Sequence, residues 1–140
     1  MSNRWSISGK IVSGVKQGAF FTQLDWFQKQ CLQKLGYKPY PGTLNIEISA
    51  EDIPIVEALE QNAKIEFIPP DSTFCSGKAH PVEVEGMRAD IVMPTKEVRV
   101  HGNNIIEVIS DLRLKDALKV DDGDTVRLTI SVSNGEKVEN

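Results

Sequence analysis

Short runs in which apolar and polar residues alternate, each closed by a turn signal, constrain this chain more than any other feature of it. Leu44, Ile46 and Ile48 alternate with Thr43, Asn45 and Glu47, and Val126, Leu128, Ile130 and Val132 share one face. Successive side chains of a strand point to opposite faces, so such runs describe strands buried on one side. Comparable runs occupy 7–15, 64–68, 74–84, 88–92, 96–100 and 105–109, separated by Pro-Pro-Asp, Glu-Gly and His-Gly-Asn-Asn turns. Phe20, Phe21 and Leu24 read as a further strand, with 15–19 as its connection. From Asp25 the period changes: Phe27, Cys31 and Leu35 recur every four residues, and Gly36 supplies a left-handed stop, which predicts a helix. A short helix is expected from Ser49, as its cap, through Ile53, Val56 and Leu59, with Pro54 in its first turn. A second short helix is expected over 112–118. Many short strands, two short helices and no repeat or linker in 140 residues predict one mostly-β domain. A small closed barrel over about 7–132, which removes its own edges, is favoured over a sandwich, followed by a polar tail.

The charge balance narrows the function. Sixteen basic against twenty acidic residues give a net charge of −4, which disfavours a protein devoted to nucleic acid, whose affinity rests on Lys and Arg neutralising phosphates. Cys31 and Cys75 stand far apart with no C-x-x-C unit, so free buried thiols are expected. The opening Met-Ser-Asn-Arg-Trp has no apolar leader and no stretch approaches a membrane span, so a cytoplasmic monomer without nucleic-acid or membrane partners is expected. His80, His101, Trp5 and Trp26 read as packing residues, because none has companions at the spacing of a metal set or a stacking platform.

Three segments carry chemistry. In Gly14-Val15-Lys16-Gln17-Gly18-Ala19-Phe20-Phe21 the glycines permit close approach, so that successive N–H groups can face a phosphate, although by itself the pattern favours a glycine-containing hairpin loop. In Pro39-Tyr40-Pro41-Gly42-Thr43-Leu44-Asn45 the prolines stiffen the approach and Thr43 and Asn45 point to one face. A hydroxyl and an amide oxygen there suit a hard cation such as Mg²⁺, or are simply a solvated strand face. Glu107 interrupts the apolar run Ile105-Ile106-Glu107-Val108-Ile109. An ionised carboxylate in such a run needs a partner, a ligand N–H or O–H among them, unless it lies on an outward edge.

The order of the glycine loop, the run Leu35-Gly36-Tyr37-Lys38-Pro39-Tyr40-Pro41-Gly42-Thr43-Leu44-Asn45, Pro94, the Ile105 to Ile109 segment, a basic helix start and Asp122-Gly123-Asp124-x-Val126 resembles the archaeal-type CTP-dependent riboflavin kinases. The resemblance covers roughly 7–132, and its specific part is the run ending in Pro-Gly-Thr-Leu-Asn. It implies a six-stranded cradle-loop barrel that transfers a phosphoryl group from CTP to riboflavin, giving CDP and FMN with Mg²⁺. It further implies that Val15, Lys16, Gln17, Gly18, Ala19 and Phe20 wrap the nucleotide and that Leu112, Arg113, Leu114 and Lys115 complete its pocket. Thr43 and Asn45 would hold Mg²⁺, and Glu97 and Glu107 would lie at the flavin, on a different wall from the nucleotide. The chain departs from the family pattern at Lys16 and Gln17, where an inner Gly and Glu are usual, and at Thr95-Lys96-Glu97, where the family has a basic residue and Thr. The same residues are compatible with a non-catalytic nucleotide- or flavin-binding barrel, or with a kinase of altered substrate.

Overall fold

The structure, a computed structural model, describes residues 2–14, 21–63, 65–70, 76–94 and 104–133. Seven strands are present among them: β1 (Ser2–Val12), β2 (Leu44–Ile48), β3 (Ile65–Phe67), β4 (Gly77–Val84), β5 (Met87–Pro94), β6 (Ile105–Ile109) and β7 (Thr125–Ser133). Three α-helices accompany them: α1 (Asp25–Lys34), α2 (Ile53–Asn62), which follows a 3-10 turn at Ala50–Asp52, and α3 (Leu114–Leu118). The sheet order is β3-β4-β5-β6-β2-β1-β7, and β4 also pairs with β7. Six strands therefore follow one another round a closed, barrel-like ring, all antiparallel, while β3 lies outside it on the edge that β4 shares with β7.

Alternation puts one face of every ring strand inside. Ile7 and Ile11 of β1, Leu44, Ile46 and Ile48 of β2, and Val126, Leu128 and Ile130 of β7 meet Val82, Val84, Ala89, Ile91, Met93, Ile106 and Val108 in one cluster. Val56 and Leu59 of α2 and Leu114 of α3 join it, so these helices bury their apolar sides against the barrel interior. Between Ile7 and Ile11 stands Gly9, where a Cβ would overlap a methyl of Ile46. The missing side chain is what lets β2 pack so closely on β1.

A second core lies on the outside. Phe27, Cys31 and Leu35 of α1 pack on Phe67, Ala79 and Ile109, with the rings of Phe27 and Phe67 4.8 Å apart. Gly36, at φ +87°, ends this helix, and its N–H and that of Leu35 both return to the Cys31 carbonyl. Burial against this core, followed by the nearby Asp90 charge, pushes the Cys31 thiol up to about 12. Asp90, buried on the same side, accepts a 2.7 Å hydrogen bond from the Tyr37 hydroxyl. Desolvation raises the Asp90 carboxyl, and the Tyr37 bond, Arg88 and His80 act against that rise. Desolvation and the Asp90 charge likewise hold the Tyr37 phenol far above its ordinary range.

Several expectations need correction. Phe21 and Thr22 are helical rather than a strand, because Phe21 turns inward to pack on Trp26 and Phe27. Ser49 caps no backbone N–H with its hydroxyl, which meets the Asp52 carboxylate instead. The 3-10 turn displaces the helix start, so Asp52 takes the cap position of α2. The 64–68 segment shortens to the three residues of β3, and α3 begins at Leu114 rather than 112. The expected strand at 96–100, the loop 15–20, Cys75, Glu97, His101 and the tail 134–140 lie outside the described residues. No helix among the described residues is long and apolar enough to cross a membrane.

Candidate active site

The rigid approach to β2 is anchored on several sides. The Tyr40 N–H donates to the Ser110 carbonyl at 2.7 Å and the Gly42 N–H to Thr22 Oγ1 at 2.7 Å. From α1, Gln28 Nε2 reaches the carbonyls of Thr22 at 2.5 Å and Pro39 at 3.2 Å. Gly42, at φ +107°, then turns the chain into the strand, a conformation that a side chain would strain. Thr43 is thus delivered to a fixed position.

There its hydroxyl donates to Glu107 Oε1 at 2.8 Å. Glu107 is the cross-strand partner of Asn45 in the β2–β6 ladder, so Thr43, Asn45 and Glu107 share the outer face at one end of the barrel. Asn45 is only 7% exposed. Its Nδ2 approaches the Thr43 carbonyl at 3.4 Å, whereas its Oδ1 has no hydrogen-bond partner among the described residues. A Cβ at Gly14 would overlap the Asn45 amide, so the backbone after β1 closes directly over it. A buried acceptor left unsatisfied is costly and asks for a partner. Thr43 spends its proton on Glu107 and keeps its lone pairs, so a hydroxyl, an amide oxygen and a carboxylate oxygen stand together. Such an all-oxygen set fits a hard divalent cation. Among the described residues no three His, Cys, Asp or Glu side chains come together as a metal set.

Thr43 also borders a cleft of about 210 Å³, lined by Tyr40, Pro41, Gly42 and Leu44 beside it, by Val108 and Ser110, and by Leu112, Arg113, Leu114 and Lys115. The four residues expected from 112–115 are therefore brought to the cleft that Thr43 borders, whereas Asn45 and Glu107 contact Thr43 without lining it. Arg113 pairs with Asp116 at 2.6 Å, and the Lys115 ammonium donates to Asp122 Oδ1 at 2.8 Å. The hydrogen bond from Lys115, then that from Ser13, holds the Asp122 carboxyl below the usual range.

The CTP-dep_RFKase family profile, described as a domain of unknown function, DUF120, matches residues 11–130. The chain belongs to the CTP-dependent riboflavin kinase family. It is 36% identical over 124 residues to a riboflavin kinase of Methanocella arvoryzae, an alignment covering 87% of this chain and 55% of that one. With a riboflavin kinase of Archaeoglobus fulgidus it shares 37% over 128 residues, covering 89% and 54%. With that of Aeropyrum pernix it shares 33% over 126 residues, covering 87% and 92%. The chain thus spans about half the length of the first two relatives and nearly all of the third.

Within this family member, sequence reasoning missed Tyr40 and Ser110 as residues lining the cleft, and the link from the cleft-lining Lys115 through Asp122 to Ser13. Tyr40, held between two prolines yet 44% exposed, was open to suspicion as a large ring with no core to enter. Asp122 stood out only as part of the Asp122-Gly123-Asp124 turn; its contact with Ser13 carried no signal, since it spans 109 residues of chain.

Proposed function

We propose that this chain transfers the terminal phosphoryl group of CTP to riboflavin, giving CDP and FMN. The observation that carries the reading is the Thr43–Asn45–Glu107 oxygen cluster, with its unsatisfied buried amide oxygen, at the edge of a cleft bordered by Lys115. Membership of the family and its similarity to riboflavin kinases support it. In this reading Thr43 and Asn45 hold Mg²⁺ through the hydroxyl and the amide oxygen. An Mg²⁺ held by these residues would supply positive charge to offset the negative charge that develops on phosphoryl transfer. Residues 15–20 wrap the nucleotide, and Leu112, Arg113, Leu114 and Lys115 hold it from the other side, with the Lys115 ammonium on a phosphate. Glu97 and Glu107 lie toward the flavin, and Glu107 orients the terminal ribityl hydroxyl for in-line attack. Positioning and charge neutralisation supply most of the catalysis, because phosphoryl transfer asks little covalent chemistry of the protein.

The test is to incubate the purified chain with riboflavin, Mg²⁺ and each of the four nucleoside triphosphates and to assay FMN. FMN formed with CTP in preference to the others is expected. Flavin or nucleotide binding without FMN under every condition would instead establish a non-catalytic binding barrel.

A further inference from the structure

The Asp122-Gly123-Asp124 turn was singled out by the sequence, yet the activity gives it no part. It is mounted rigidly: the Gly123 N–H donates to the Ile11 carbonyl and the Ile11 N–H to the Asp124 carbonyl, both at 2.8 Å. From that mount the Asp122 carboxylate reaches in two directions. Oδ2 accepts from the Ser13 hydroxyl, just after β1, and Oδ1 accepts from the Lys115 ammonium at the cleft. The end of β1 and the cleft-lining Lys115 are thus tied to each other through one side chain.

We propose that Asp122 is a positioning residue for the triphosphate: it sets the Lys115 ammonium at the cleft and is itself braced by Ser13 at the end of β1. This inference rests on the nucleotide reading of the cleft. An ammonium has three N–H donors and a flexible four-carbon stem. One donor given to Asp122 fixes the stem and leaves two for phosphate oxygens, so the ordering cost is met before the ligand arrives. Simple electrostatics predicts the opposite, because deleting a carboxylate beside a polyanion removes repulsion. The sign of the effect therefore separates positioning from mere proximity.

Calorimetric titration of Mg-CTP into the parent, Asp122→Ala, Asp122→Asn, Lys115→Met and the double variant Asp122→Ala/Lys115→Met decides it. Asp122→Ala and Asp122→Asn are expected to weaken binding roughly fivefold, the upper range of an exposed ion pair. In the Lys115→Met background the loss from Asp122→Ala should shrink, because the two residues act as one unit. Riboflavin affinity should stay at the parent value. Asp122→Ala and Asp122→Asn that bind Mg-CTP as well as the parent or more tightly, or losses that simply multiply in the double variant, overturn the proposal. If Lys115→Met weakens binding while the Asp122 variants do not, only this inference falls, whereas a parent that binds no nucleoside triphosphate overturns the nucleotide reading with it.

Discussion

Asn45 holds an amide oxygen in a buried place where nothing among the described residues answers it. Replacing it by Ala removes an unsatisfied acceptor and no strong bond, so the melting temperature should change little. Mg-nucleotide affinity should fall about tenfold if that oxygen serves the cation. Thr43→Ala should weaken Mg-nucleotide binding in the same direction. A calorimetric titration in which both variants match the parent would remove the metal site. Beyond its bond to Thr43, Glu107 is proposed to meet the flavin, and substitution can separate the two. Glu107→Gln keeps an acceptor for the Thr43 hydroxyl, so nucleotide affinity should hold while flavin affinity falls by about 1.5–3 kcal/mol, the worth of a charge-assisted bond. Glu107→Ala should lose both, and quenching of riboflavin fluorescence beside calorimetry with Mg-CTP reads the two separately. The sequence drew attention to Glu107 because it interrupts an apolar run, and to Thr43 and Asn45 because they share one strand face behind two prolines. Their contact was not legible, since it depends on the β2–β6 register across 64 residues of chain.

At the level of elements, α1 buries the groups that make this protein sensitive to alkali. Cys31 titrates at about 12 in the folded chain against an ordinary 9.0, and the Tyr37 phenol is also raised. The unfolded chain therefore loses these protons first, and stability falls as pH rises from about 9 toward 12. Cys31→Ala should make that fall shallower, which thermal melts between neutral pH and pH 10.5, about the midpoint of the window, will detect. A second expectation concerns α2, whose fully buried Leu59 joins the barrel interior. Leu59→Ala should cost about 2–5 kcal/mol in denaturant unfolding, the usual penalty for a cavity of that size. Periodicity located both helices, because a buried stripe every three to four residues writes itself into the sequence. It missed the short 3-10 turn before α2 and the helical Phe21 and Thr22, where packing of one aromatic ring overrode strand propensity.

For the whole molecule, the sequence could announce a closed mostly-β domain, because so many short alternating runs leave edges that need pairing. It announced β3 as a longer run at 64–68, but not that this strand pairs with β4 outside the ring and packs on α1. Nor could it show how unequal the seams of the ring are. Nine residue pairs join β1 to β7 and eight join β4 to β5, but two, Glu83 with Thr129 and Val84 with Leu128, join β4 to β7. Glu85 extends that closure: its N–H donates to the Arg127 carbonyl at 2.9 Å, and its carboxylate accepts the Arg127 N–H at 2.6 Å. A side chain here takes the place of a strand carbonyl, so the hoop is fastened by a clasp rather than a weld. In native-state amide exchange the clasp should open before the rest, with Arg127 and its neighbours exchanging ahead of the β1–β7 amides. Glu85→Ala should widen that difference and leave the slowest core amides untouched.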